Sequence, residues 1–330
     1  MQTGAAVKPN DSRPTSTVEV KRKRGFIFEL LKNKVLYLMA IPGILYFFIW
    51  HYLPMVGIVI AFKNYNVIDG IFGSEWNGLK NFDFLIKSGD IFRITFNTLF
   101  LNMLFIGFGT VFQVGIAILL NEVGKSWFKK LSQSLLLLPY FISWVVVGVF
   151  VYYIFATNTG MLNGLLGWFG IDPMPWYQSP EFWPAILTAT YIWKWVGYGS
   201  VIYLAAIVGI DSTIYEAAKI DGCNKWQLIR YVTIPMLMPT IMVLTLLAIG
   251  GIFYGDFGMI FNIVKSNVLI FETTDVIDTY VYRSFQGTGG GMGSIAMGSA
   301  AGALQSFLGF VTIITANWLV RRYNRDYALY

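Results

Sequence analysis

Few side chains in this chain are suited to chemistry. It contains one histidine, His51, and one cysteine, Cys223, among 330 residues. A single imidazole and a single thiol lack the partners that a zinc site needs, and one cysteine cannot form a disulfide within the chain. The apolar segments also hold no cluster of histidine and carboxylate side chains of the kind that catalysis requires. The sequence therefore predicts no metal site and no enzyme active site.

The most suggestive polar residue is Lys194, which lies in a long apolar run beside Trp193, Trp195 and Tyr198. Charged side chains within such runs are expensive and usually functional. The aromatic faces could stack on sugar rings, and the ammonium group could bind a carboxylate or a hydroxyl group. Alternatively, Lys194 pairs with an acidic residue of a neighbouring helix, for which Asp256 is the candidate. Both interpretations stay open on the sequence.

Other polar side chains in or near the apolar runs could line the same route or form hydrogen bonds between helices. The sequence does not separate these two uses. The candidate pathway residues are Asn102, Gln113, Tyr254, Asp256 and Gln305, with Arg283 and Gln286 as further candidates at an outer mouth.

The candidate residues lie in a chain that consists mostly of long apolar segments. Hydrophobic residues make up 56% of it and charged residues 13%, against about 45–50% and about 25% in soluble domains. A segment of about 20 apolar residues is long enough to cross the hydrocarbon core of a bilayer as a helix. The sequence predicts an all-α integral membrane protein with about six transmembrane helices, near residues 35–62, 95–120, 132–155, 184–209, 234–260 and 299–320.

The distribution of positive charge orients these helices. Most of the 24 Lys and Arg residues fall in the two terminal segments and in the loops after the second and fourth spans. The positive-inside rule then places both termini in the cytoplasm. The net charge of +6 reflects this topology rather than nucleic-acid binding. We predict a partly disordered cytoplasmic tail at 1–34, a transmembrane domain at 35–320 and a cytoplasmic tail at 321–330.

The inner loop between the fourth and fifth spans, residues 211–239, carries strong local signals. Thr213 and Glu216 fit a capping box at the start of a helix. The alanines that follow propagate a helix well, and Gly222 can adopt the left-handed conformation that ends it. These signals predict one short helix followed by a glycine turn.

A second short helix follows in the same loop. Asn224 can cap its start, with Gln227 three residues later. Pro235 and Pro239 then mark where the chain turns into the fifth span. The whole loop is predicted to be a rigid helix–turn–helix, which can transmit force where a flexible loop cannot.

This loop resembles the EAA loop of ABC importer permeases. In that family the first helix of the loop sits in a groove on the ATPase subunit and couples nucleotide-driven closure to rearrangement of the permease. The resemblance implies an ATPase-coupling role for the matching residues, which are Glu216, Ala217, Ala218, Asp221, Gly222, Pro235 and Pro239.

Further stretches resemble the carbohydrate-uptake branch of the family, in particular permeases for complex oligosaccharides of the aldouronate and alginate types. The likeness covers most of residues 35–325. It is carried by Trp226-Gln227 and by Asn97-Thr98, Leu120-Asn121-Glu122 and the stretch from Leu138 to Trp144.

The resemblance implies a type I ABC importer permease fold in a bacterial inner membrane, where the chain forms half of a translocation pathway. It also implies three protein partners, namely a second homologous permease subunit in a heterodimer, a cytoplasmic ATPase dimer and an extracytoplasmic solute-binding protein. The implied substrate is an oligosaccharide. The buried Lys194 favours an acidic one, such as a uronate or alginate-like oligomer.

The chain itself is predicted to bind no cofactor. Gly124-Lys125-Ser126 ends like a Walker A motif, but Leu119 stands where the first glycine belongs and no strand precedes it. The glycines between 287 and 293 read as a loop leading into the sixth span rather than as a dinucleotide motif. ATP and Mg²⁺ are therefore expected at the separate ATPase subunit, and this chain is expected to be a transport subunit and not an enzyme.

Three other function classes fit the sequence less well. An ion-coupled secondary transporter of a sugar-like solute predicts paired broken helices and acidic residues at the membrane midplane, and acidic residues within the spans are nearly absent. A membrane-embedded enzyme needs a catalytic cluster in the spans. A structural membrane scaffold would not need the loop at 211–239.

Overall fold

The computed structural model describes residues 32–286 and 294–323. The predicted tails at 1–34 and 321–330 lie mostly outside the described residues, as do the glycines between 287 and 293. Most described residues are helical, and the α-helices in chain order are α1 (Lys34–Phe47), α2 (Gly70–Gly73), α3 (Lys80–Ser88), α4 (Asp90–Glu122), α5 (Ser126–Phe141), α6 (Trp144–Phe155), α7 (Met161–Trp168), α8 (Trp183–Val208), α9 (Ser212–Ile220), α10 (Lys225–Leu228), α11 (Ile234–Gly250), α12 (Phe257–Val264), α13 (Phe271–Thr274), α14 (Ile277–Phe285) and α15 (Ser294–Tyr323).

Two short strands, β1 (Lys63–Asn64) and β2 (Glu75–Trp76), pair in antiparallel fashion after the first long helical segment. The side-chain amide of Asn81, in α3, donates to the carbonyl oxygens of Ala61 and Lys63 at 2.8 and 3.0 Å. These bonds hold α3 against the first strand, so the connection between the first two spans is ordered.

Five unbroken helical segments of the described chain are long and apolar enough to cross a membrane, and one bent pair of helices supplies a sixth candidate. This confirms the prediction of about six spans. The chain divides into two compact units after Val56, within the first of these segments. The unbroken segments are Lys34–Phe62, Asp90–Glu122, Pro180–Val208, Lys225–Gly250 and Ile295–Arg322.

The third span is broken, and the prediction of one continuous helix over 132–155 is wrong. The axes of α5 and α6 differ by 96°. Pro139 lacks the N–H that a helix interior needs, and the backbone of Ile142 is extended. Ser143 then starts the second helix, because its hydroxyl accepts the Val146 N–H at 3.5 Å.

The fifth span begins earlier and ends earlier than the predicted 234–260. It runs through α10, a π-helical turn at Ile229–Thr233 and α11. Pro235 and Pro239 therefore lie within this helical segment and do not mark a turn of the chain. The wider π-helical turn precedes Pro235, whose missing N–H would otherwise bond back into it. The helix stops at Gly250.

The core of the second unit is built on the packing of α4 against α8. Helices in lipid gain little from hydrophobic burial and associate chiefly through close packing, which favours small residues at contacts. Gly197, in α8, shows this requirement, because a Cβ there would overlap the backbone carbonyl of Leu136 in α5. One buried cluster joins α4, α6, α8 and α12 through Leu101, Phe105, Val147, Val151, Leu187, Met259, Ile260 and Ile263.

Candidate coupling and translocation sites

The first helix of the loop between the fourth and fifth spans is capped two residues earlier than predicted. Asp211 is the N-cap of α9, and its carboxylate accepts the Thr213 N–H at 2.9 Å. This backbone hydrogen bond lowers the pKa of the exposed Asp211 carboxyl group. The predicted capping box of Thr213 and Glu216 is wrong, because both residues already lie inside the helix.

The glycine turn after α9 is confirmed. Gly222 has a φ of 85°, a conformation that costs glycine little and other residues more. Its N–H donates to the carbonyl of Lys219, and the Cys223 N–H donates to that of Ala218, each at 3.0 Å. This pair of bonds is a Schellman motif, which satisfies the last free carbonyls of the helix.

The second helix of the loop starts as predicted. The Asn224 side chain accepts the Gln227 N–H at 2.9 Å, and the Gln227 side chain accepts the Asn224 N–H at 2.8 Å. This reciprocal capping box satisfies two backbone donors. The loop is therefore held by local hydrogen bonds at three successive points, and its helix–turn–helix form agrees with the prediction.

The loop is attached to the spans at two places. The hydroxyl groups of Tyr215 and Thr233 are hydrogen-bonded at 3.1 Å, which joins α9 to the π-helical turn of the fifth span. The ammonium group of Lys225 lies 3.5 Å from the carboxylate of Glu122 at the end of α4. Leu228, at the end of α10, is buried. Tyr215 thus joins α9 to the fifth span, and Lys225 joins α10 to the end of the second span.

The opposite side of the loop is open to solvent and partly apolar. Ile220 is 86% exposed and Trp226 is 70% exposed. We call this region the coupling surface, and it comprises Ile214, Glu216, Ala217, Ile220 and Trp226, all of which are exposed.

Lys194 does not form the predicted ion pair with Asp256. Its ammonium group donates to the backbone carbonyls of Pro139 at 3.3 Å, Tyr140 at 3.1 Å and Ile142. The carbonyls of Tyr140 and Ile142 have no helical partner because α5 ends at the break, whereas the Pro139 carbonyl also accepts the Ile142 N–H at 3.2 Å. The ion pairs formed among the described residues do not include one between Lys194 and Asp256. The lysine, only 5% exposed, therefore caps a helix that stops inside the membrane.

The indole of Trp144 completes this arrangement. Its ring centroid lies 5.0 Å from the Lys194 ammonium group, which is a cation–π distance. Trp144 is the first residue of α6, so the lysine contacts both halves of the broken third span.

Two other candidate pathway residues also bind backbone at a break. The amide of Asn102, in α4, donates to the carbonyls of Ile252 at 3.0 Å and Tyr254 at 3.2 Å. The amide of Gln305, in α15, donates to the Phe253 carbonyl at 2.8 Å. The chain is non-helical there, and Asp256 ends the turn by accepting the Met259 N–H at 3.0 Å to cap α12. For Asn102 and Gln305 the structure thus shows hydrogen bonding between elements.

Three of the predicted pathway residues do meet in one place. Gln113, Trp195 and Tyr198 line a cavity of about 190 Å³ between α4, α8 and α11, and Tyr254 and Asp256 are not among its lining residues. We call it the aromatic cavity. Its wall also contains Tyr191 and Tyr203, which are not among the pathway residues predicted from the sequence. Tyr191 could have been found from helical spacing, because it lies four residues before Trp195 and seven before Tyr198.

The rings of the aromatic cavity contact a residue next to the helix break. Tyr198 stacks on Tyr140 with centroids 4.7 Å apart, and Trp195 meets the same ring edge-on at 5.4 Å. The indole nitrogen of Trp195 is buried and has no hydrogen-bond partner among the described residues. Trp193 lies on another face of α8, in a groove with Phe150 and Met161, so it does not belong to this cavity.

Comparison with known proteins agrees with this architecture. The chain is 34% identical over 306 residues to the polygalacturonan/rhamnogalacturonan transport system permease protein YteP of Bacillus subtilis strain 168, covering 93% of each protein. A permease chain of a bacterial ABC transporter that imports the acidic polysaccharide alginate superposes with a TM-score of 0.81 at 33% identity, covering 90% of this chain and 99% of that one.

A second structure of a bacterial alginate ABC transporter, in complex with a periplasmic protein that holds an alginate pentasaccharide, superposes with a TM-score of 0.80 at 33% identity. It covers 90% of this chain and 98% of that one. The family described as binding-protein-dependent transport system inner membrane component matches residues 113–325, which include α8, α11, the C-terminal part of α4 and the coupling surface. The chain is therefore a multi-pass membrane permease subunit of an ABC importer, not an enzyme, and it belongs to this family of binding-protein-dependent inner membrane components.

Proposed function

We propose that this permease imports oligosaccharides in an ATP-driven system with a solute-binding protein. A second homologous permease completes the pathway, and a cytoplasmic ATPase dimer binds ATP and Mg²⁺. The names of the similar proteins support this proposal, since they transport polygalacturonan, rhamnogalacturonan or alginate. The alginate complex with a periplasmic protein supports the solute-binding partner.

The observation that carries the proposal is the exposed and doubly capped α9. A helix that is fixed at both ends and hydrogen-bonded to the spans moves as a rigid element. We propose that the ATPase docks on the coupling surface, including Glu216 and Ala217, and displaces α9 when the nucleotide-bound dimer closes. The displacement would pass through Tyr215 and Thr233 to α11 and through Lys225 and Glu122 to α4.

A displacement of α4 and α11 would change the aromatic cavity, because both helices contribute to its walls. Gln113 comes from α4, and Leu244 and Ala248 come from α11. A shift of these helices against α8 would change the width of the cavity. We therefore propose that the aromatic cavity is part of the translocation pathway and opens alternately to the two sides of the membrane.

The cavity chemistry suits sugars. Aromatic rings such as Trp195 and Tyr198 can stack on the apolar faces of sugar rings, and the Gln113 amide can bind hydroxyl groups. The buried indole N–H of Trp195 has no hydrogen-bond partner in the part of the chain that the structure describes, so it can donate to a sugar hydroxyl group. The preference for an acidic oligosaccharide rests on the similar proteins, because the Lys194 ammonium group is occupied by backbone carbonyls.

The test is ATPase activity of the assembled complex in lipid vesicles, with the binding protein loaded with uronate or neutral oligosaccharides. We expect stimulation by uronate oligomers, and a weaker response to them with Trp195→Phe than with the control Trp193→Phe. Stimulation by neutral oligosaccharides alone would support the proposal of an oligosaccharide importer and would exclude an acidic substrate. Sugar uptake that continues without ATP and follows an ion gradient would instead support a secondary transporter.

A further inference from the structure

The short helix α7 and the turn after it present an apolar surface that the transport mechanism does not use. Trp168 is 83% exposed and Phe169 is 80% exposed. Met161 and Ile171 are exposed as well, and residues 156–171 include no Lys, Arg, Asp or Glu. We call the exposed part of residues 161–171 the aromatic tip. Two adjacent large aromatic side chains facing water would be costly to maintain.

The aromatic tip is held by a network centred on Asn163. The buried Asn163 amide donates to the carbonyls of Thr157 and Met174, both at 2.9 Å. Its oxygen accepts the Met174 N–H at 3.2 Å and the Trp176 indole N–H at 2.9 Å. The exposure of Trp168 and Phe169 is thus imposed by an ordered scaffold.

The apolar surface of the neighbouring spans continues into this helix. Five residues separate the end of α6 from the start of α7, and both helices contribute to an apolar groove of about 580 Å³ on the side of α8. Tyr153 and Phe155 line it from α6, Met161 from α7 and Trp193 from α8. A surface that starts on membrane-spanning helices therefore extends to the base of the aromatic tip.

We propose that the aromatic tip lies in the interfacial layer of the bilayer, with Trp168 and Phe169 among the lipid headgroups and upper acyl chains. Tryptophan is enriched at this depth, and short helices with apolar aromatic faces bind there. A protein partner that dissociates would leave the pair in water in each transport cycle, whereas lipid covers it throughout. The anchor would fix the outer half of the third span, α6, relative to the membrane surface.

The test uses an environment-sensitive fluorophore attached to a single cysteine. Cys223→Ala removes the native thiol, and Trp168→Cys or Ile171→Cys supplies the new one. Asp172→Cys, one residue beyond the aromatic tip, is the matched control because Asp172 is also exposed. The complete transporter is reconstituted in phosphatidylcholine vesicles with or without bromine on the acyl chains.

We expect labels at 168 and 171 to emit at shorter wavelength than the label at 172 and to be quenched by brominated lipid roughly twofold more strongly. Ile171→Cys retains both anchor residues, so it reports on the intact surface if Trp168→Cys weakens attachment. Labels that emit as in water and resist the brominated lipid would overturn the proposal. So would labels that become shielded only when the solute-binding protein is added, because the aromatic tip would then be a protein docking site.

Discussion

Several polar side chains within the spans of this permease donate hydrogen bonds to backbone carbonyls. Lys194, Asn102 and Gln305 each donate to carbonyls that a helix break leaves without partners. Asn97 does the same for the chain around α13, with its amide 2.9 Å from the Glu272 carbonyl. Lipid offers no replacement partners, so irregular backbone at membrane depth is possible only where the protein supplies them. Lys194 has a second effect, because it fixes Tyr140 beside the aromatic cavity.

A substitution of Lys194 distinguishes this structural role from substrate binding. Lys194→Met leaves the Tyr140 and Ile142 carbonyls without this donor, and an orphaned buried polar group costs about 1–3 kcal/mol. We expect a lower Tm of the purified subunit and an equal loss of ATPase stimulation by acidic and neutral oligosaccharides. Lys80→Met, at an exposed lysine of α3, should change neither quantity. A variant that keeps its Tm and loses only the response to uronates would show that Lys194 contacts substrate.

Among the helices and turns, features that depend on neighbouring residues could be predicted from the sequence. Features that depend on residues far apart in the chain could not. The turn at Gly222 and the capping box at Asn224 depend on neighbouring residues, so the sequence revealed both. Pro139 favours the break of the third span locally, but carbonyls at the break are satisfied by Lys194, which is more than 50 residues away in sequence. Hydropathy over 132–155 is continuous across the break and therefore indicated one straight helix.

We expect the glycine turn that ends α9 to be required for transport. Proline fixes φ near −65°, so Gly222→Pro is incompatible with the observed φ of 85° and should detach α9 from its turn. We expect unchanged assembly of the spans and at least about a tenfold loss of transport, which corresponds to about 1.4 kcal/mol of coupling free energy.

The matched control is Gly170→Pro. Gly170 ends α7 with a φ of 73° and has the same pair of backbone bonds, but it is remote in sequence from the coupling surface. Transport is measured in vesicles, and assembly by co-purification with the ATPase. If Gly222→Pro transports normally, or if both variants lose transport equally, the turn at Gly222 has no special part in coupling.

For the whole molecule, the attachments of the loop define a route from one end of the spans to their interior. The coupling surface connects to α4 through Lys225 and to α11 through Tyr215, and both helices reach the aromatic cavity. This route can run from an ATPase to a substrate only if the coupling surface faces the cytoplasm. The orientation of the chain is therefore the condition on which the mechanism depends, and the distribution of Lys and Arg residues is its present support.

The lone cysteine makes this orientation measurable. In a Cys223→Ala background, Trp226→Cys places a thiol on the coupling surface, and Asp172→Cys places one in the loop after α7. A membrane-impermeant maleimide added to intact cells should label Asp172→Cys and spare Trp226→Cys, and inverted vesicles should show the opposite pattern. Labelling of Trp226→Cys in intact cells would put the coupling surface outside, where ATP-driven closure cannot act on it, and would remove the basis for the proposed route.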